Sequence, residues 1–98
     1  MSKLSDTILQ DAWIGDAVLA LYVRSYILST HSQVDGAMAV RMTSNQFLSA
    51  FGEPSRVEAE IGRVYASRGL EAAFAWIQGH LLPLFEKQES NRAKRERS

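Results

Sequence analysis

Between residues 8 and 23 the chain reads ILQDAWIGDAVLALYV, and its apolar positions fall on every side of a helical wheel. A helix apolar all round is enclosed by protein. No segment alternates with the period of two that a half-buried strand needs, so the pattern predicts an all-α chain. Ser5 or Asp6 can cap a first helix running to about Leu28, after which "STHSQ" is a polar break. A second helix is expected over Val34 to Met42, where Val34, Ala37, Met38, Arg41 and Met42 recur at three- and four-residue spacing. Thr43 with Gln46 reads as a capping box opening a short third helix, "NQFLSAF", which Gly52 stops and Pro54 keeps from continuing. Ser55 with Glu58 is a second capping-box pattern, leading into the stripe Val57, Ile61, Val64 and Tyr65 to about Ser67. Gly69 ends that helix. Leu70 to Phe85 is the last, with Ala73, Phe74, Ile77, Leu81 and Leu84 inward and Pro83 as a kink or stop. About five helices result.

Four short amphipathic helices can hardly wrap the first one completely. Part of its apolar surface is therefore expected to be covered by a second subunit. Met38, Met42, Phe47 and Phe51 could line that interface or the internal core; Phe74 and Trp76 read as core.

Composition narrows the chemistry. A chain of 98 residues, 46% hydrophobic and 22% charged, is one ordinary globular domain, here residues 1–90. No apolar run is long enough to cross a bilayer and "MSKLSDTILQ" lacks signal-peptide organisation, so the chain reads as cytoplasmic, with no membrane partner. Without cysteine, disulfides, thiolate catalysis and sulfur-ligated zinc are excluded. Any metal site uses oxygen or imidazole. Residues 91–98 are basic, with Arg92, Lys94, Arg95 and Arg97 against Glu96, and the preceding residues are net acidic. Such a tail is expected to be disordered, either a solvated helix end or a weak RNA-binding arm that contacts phosphates.

The polar anomaly of the first helix is Gly15–Asp16. An unpaired buried carboxylate costs several kcal/mol, so Asp16 needs a cation, a capping role or a raised pKa. One reading breaks the helix at Gly15 and lets Asp16 cap the segment from Ala17 onward. The other lets a backbone or ligand approach Gly15 while Asp16 faces a cleft and binds a cation. The capping box by itself accounts for Glu58, and Glu60, about 200° around the helix from it, reads as a solvated-face residue. Asp11, about 140° from Asp16, is a poor co-ligand. His31 and His80 have no nucleophile–base spacing and read as structural or exposed.

The stretch "AWIGDAVLALYVRSYIL" resembles the signature helix of ribonuclease III domains, and most of all its Mini-III branch, through Ala12, Ile14, Gly15, Asp16, Ala17, Tyr22, Val23 and Arg24. "VEAEIGRVYASRGLEAA" resembles that family's second acidic segment through Glu58, Ala59, Ile61, Gly62, Tyr65, Gly69, Leu70, Glu71, Ala72 and Ala73. "VRMTSNQFLSAF" is similar, more weakly, to the family segment that lies between the two.

This resemblance implies an all-helical endonuclease domain, homodimeric, that accepts double-stranded RNA and uses no organic cofactor. By motif position Asp16 and Glu58 would be the catalytic residues, ligating Mg²⁺ (or Mn²⁺), which activates water for in-line attack on a phosphodiester. The expected activity is Mini-III-like RNA processing, such as maturation of a ribosomal RNA precursor. Larger members carry further acids where this chain has Ala12 and Ser55, a loss that also points to Mini-III. The connector "GEPS" replaces a long stretch that includes a basic loop. Hence a second expectation: a catalytically weak or inactive dimer of this fold that binds RNA or protein without cutting.

Overall fold

Residues 5–97 are described by a computed structural model, with Arg97 as backbone alone; helices joined by short connectors account for nearly all of them, without a strand among them. The helices are α1 (Asp6–His31), α2 (Gly36–Thr43), α3 (Asn45–Ser49), α4 (Pro54–Arg68), α5 (Leu70–His80) and α6 (Leu82–Arg97). No helix among the described residues is long and apolar enough to cross a membrane.

α1 is continuous through Gly15, so Asp16 lies inside the helix and caps nothing. Ser5 is the N-cap, its hydroxyl accepting from the Ile8 N–H at 3.2 Å. The helix runs past Leu28: Ser29 and Thr30 turn their hydroxyls back to the Tyr26 carbonyl, at 3.1 and 2.7 Å, and neither side chain breaks it. Ser32, in the left-handed region at φ 58°, ends it and donates its N–H to the Leu28 carbonyl.

Three expected helix starts move by one or two residues. Asp35 caps α2, so that Val34 lies outside the helix. Ser44, not Thr43, caps α3, accepting from the Phe47 N–H at 3.0 Å, while Thr43 closes α2 and donates to the Ala39 carbonyl. Pro54 does not terminate α3: it opens α4 at the position where a missing N–H costs nothing, and Glu53 becomes the N-cap. The Glu53 carboxylate accepts from the Ser55 and Arg56 N–H groups at 2.7 and 3.3 Å. The Ser55–Glu58 capping box is not formed.

Gly69, at φ 91°, joins α4 to α5 in a conformation that side chains rarely adopt. The expected last helix divides at Leu81, since Pro83 cannot donate to the Gly79 carbonyl. Residues 91–97, expected as a disordered tail, are the last turns of α6. Strong helix formers fill them, and an Arg92–Glu96 ion pair at 3.1 Å spans one turn. Phe85 anchors α6, buried edge-on against Phe47 at a ring-centroid distance of 5.7 Å.

The core gathers Leu19, Val23 and Ile27 of α1, Leu48 of α3, Ile61 of α4, Ile77 of α5 and Leu81. Met42 and Phe47 belong to it, Met38, Phe74 and Trp76 pack against it, and Phe51 remains 43% exposed. His80 is exposed and stacks on Trp76. The most extensive pairing is α1 against α4, with α2 and α5 also on α1. Together they cover one side only. On the other side Trp13, Ile14, Leu21 and Leu28 stay open to solvent, Trp13 at 79%.

Candidate active site

Small residues decide where α1 and α4 cross. Ala12 and Gly15 on α1 meet Ala59 and Gly62 on α4, all four buried. A Cβ on Gly15 would lie 1.7 Å from the Glu58 carbonyl oxygen, and one on Gly62 would lie 1.9 Å from that of Asp11. No side chain fits either place, so the two backbones are in contact. Of the two roles open to Gly15, close approach of a backbone is the one observed.

This contact sets the next residue of α1, Asp16, beside the side chain of Glu58. Asp16 is exposed and Glu58 half-buried. Burial, then a hydrogen bond to the Asp16 carboxyl and its charge, then the charge of Glu53, push Glu58 up to about pKa 7. Glu58 has no capping duty in the structure. The pair is short of positive charge: a proton shared between the carboxyls meets the need at low pH, and a cation would meet it at higher pH.

Which groups could hold a metal is decided by this donor set. Two carboxylates offering oxygen suit a hard divalent ion that keeps most of its waters, as Mg²⁺ does. Among the described residues no three or more His, Asp or Glu side chains converge as a metal cage. Ala12, buried, sits one turn before Asp16, and Ser55 one turn before Glu58. No acid therefore stands at either place to add a third ligand.

Sequence reasoning passed over Glu53, the third carboxylate whose charge reaches Glu58. Its signal was the next residue, a proline, which marks residue 54 as the first position of a helix and residue 53 as its cap. Glu60 is a surface residue paired to Arg63. Asp11 contributes its carbonyl to the Gly62 crossing.

The basic residues are elsewhere. Arg92, Lys94 and Arg95 lie on α6, which packs on α5 and is tied to α2 by a two-bond fork from Arg41 to Glu89, both bonds 2.9 Å. The Arg97 side chain lies outside the described residues. α1 and α4 carry Asp16 and Glu58, and neither helix lines the cleft that Arg41 shares with Arg92 and Arg95.

Compared with known proteins, the chain matches no family model, no curated protein and no solved structure.

Proposed function

We propose that the chain is a Mg²⁺-dependent endoribonuclease of the ribonuclease III type, close to Mini-III, that cuts double-stranded or structured RNA such as a ribosomal RNA precursor. The observation that carries this reading is the Asp16–Glu58 pair: two carboxyls from separate helices, held together by a backbone contact, with Glu58 driven toward its protonated form by its surroundings. Neither is explained by a cap or an ion pair. Asp16 and Glu58 would hold Mg²⁺ (or Mn²⁺ as substitute), which when bound would supply an activated water and charge stabilisation at the leaving oxygen. Asp16 is the more exposed of the two, and Ala12 and Ser55, one turn before each, would add no further acid to the pair. No organic cofactor is required.

The acting unit is a homodimer, with one carboxylate pair in each copy. The open face of α1 supports this. Trp13, Ile14, Leu21 and Leu28 are exposed, and Ala17, near the helix midpoint, allows close approach. An antiparallel second copy of α1 crossing at Ala17 and Leu21 would bring Trp13 level with Ser25 of the other copy, next to Arg24. There it meets an open groove of about 550 Å³ between α1 and α2, whose lining includes Ala20, Val23, Leu28 and Val40. Such pairing is self-complementary, as a two-fold interface requires. Arg92, Lys94, Arg95 and Arg97 supply salt-sensitive contacts to RNA phosphates. On this reading the enzyme acts in the cytoplasm.

The tight connector favours a second reading. The Phe51 and Gly52 N–H groups both bond the Leu48 carbonyl at 2.9 Å, and α4 begins two residues after Gly52, leaving no segment there to face RNA. On that reading the dimer binds RNA or protein without cutting. Titration with Mg²⁺ and Mn²⁺ separates the two. Trp13, one turn before Asp16, reports binding by fluorescence, and gel analysis of a duplex RNA reports cleavage. A saturable signal with cleavage products supports the nuclease; neither signal nor product with either metal sinks it.

A further inference from the structure

An open cleft of about 390 Å³ lies between α2–α3 and the last turns of α6. Arg41 from α2 and Arg92 and Arg95 from α6 line it, together with the amides of Gln46, Gln88 and Asn91. Glu89 also lines it, occupied by the fork to Arg41. That fork engages Nε and Nη2 and fixes the guanidinium, leaving Nη1 outside it. The Glu89 hydrogen bond raises the Arg41 pKa further, so its charge is permanent. Glu96 holds Arg92 through a surface ion pair, 42% and 59% exposed, of the weak kind that a phosphate can displace.

Three guanidiniums against two carboxylates, Glu89 and the Glu96 that holds Arg92 and whose charge also reaches Arg41, leave an excess of one positive charge among these five side chains, on a domain whose first ninety residues are net acidic. Guanidinium matches the phosphate edge with two parallel bonds. Arg92 and Arg95 are one turn apart, about 5–6 Å between Cβ atoms, so they present donors in a row. Amide side chains add the paired donor and acceptor that a ribose hydroxyl can use.

We propose that this α2–α6 cleft is a binding site for the phosphate backbone of RNA, Arg41, Arg92 and Arg95 contacting successive phosphates and Gln46, Gln88 and Asn91 the sugar edge. The proposal rests on the RNA-processing reading for its ligand class. It also makes Arg41 part of an RNA contact that the basic C-terminal stretch does not form alone. The cleft lies apart from the carboxylate pair and holds substrate without taking part in the chemistry.

The test is fluorescence anisotropy of a labelled RNA duplex with the full chain in EDTA, so that binding is read without metal or cleavage. Arg92→Gln/Arg95→Gln should bind about tenfold or more weakly and lower the slope of log K against log salt by about 2; Arg41→Gln should lower it by about 1. Arg92→Lys/Arg95→Lys keeps the charges and should keep the slope, which covers the case in which the Gln variant folds poorly. Lys87→Gln, on α6 but outside the cleft, should change neither value. Equal losses in Lys87→Gln and the cleft variants, or undiminished binding in the cleft variants, would overturn the proposal. So would displacement of the RNA by polyglutamate at matched charge, which would assign the cleft to an acidic protein. Absent cleavage with cleft-dependent binding overturns the nuclease reading alone, and cleavage with cleft-independent binding overturns the cleft alone.

Discussion

Gly15 lies with its Cα directly against the main-chain carbonyl of Glu58, so close that a Cβ would stand 1.7 Å from that oxygen. The contact that closes α1 on α4 is thus the one that sets the Asp16 and Glu58 carboxyls side by side. Gly15→Ala forces backbone against backbone, and no flexible side chain can give way. It should cost at least ~3 kcal/mol, read as a fall in the urea midpoint, and weaken metal binding with it. Gly79→Ala, where a Cβ meets nothing within 4 Å, should gain about 0.5–1 kcal/mol. Equal midpoints for the two variants would contradict the close crossing.

Glu58 makes stability depend on pH. Its carboxyl moves from an ordinary value of 4.5 to about 7 on folding, so between those values the folded state binds more protons than the unfolded. Its contribution is complete below pH ~4.5 and is lost as the pH rises through about 7. After discounting for partial exposure the loss is on the order of 1–2 kcal/mol. Urea melts in EDTA should show this decline, and Glu58→Gln should flatten it. Mg²⁺ competes with the same proton, so its apparent affinity should rise across pH 6–8. A metal affinity independent of pH there would be incompatible with Glu58 as ligand.

The open face of α1 predicts a dimer that one charge can break. Leu21→Glu puts a carboxylate at the proposed crossing point without touching the core, since Leu21 is 48% exposed. Sedimentation velocity should give a dimer for the wild type and a helical monomer for the variant. A wild-type chain that sediments as a monomer at tens of micromolar would remove the two-fold pairing.

Much of the fold was legible in the sequence, through particular residues. The all-round apolar pattern of residues 8–23 located α1, and Ser5, Gly69 and the stripe Val57, Ile61, Val64 bounded or oriented their helices as expected. The caps at residues 35, 44 and 53 were missed because Ser, Thr, Asp and Glu neighbours compete at each start, and tertiary fit chooses among them. Glu58 shows the effect on function: a capping box explained it away until Pro54 gave the cap to Glu53. Asp16 was ambiguous for the opposite reason. A glycine in mid-helix reads as a break unless a second helix fills the missing Cβ volume, and Gly62 lies 47 residues further along the chain.

The central claim, that Asp16 and Glu58 together hold the ion that cuts RNA, is tested most directly by single-turnover cleavage of a duplex RNA in Mg²⁺. Wild type, Asp16→Asn and Glu58→Gln are compared after sedimentation shows each to be a folded dimer. Both substitutions remove an ionisable ligand with little change of shape, and each should lower the rate by at least ~100-fold. Wild-type cleavage that persists unchanged in either variant would contradict the claim.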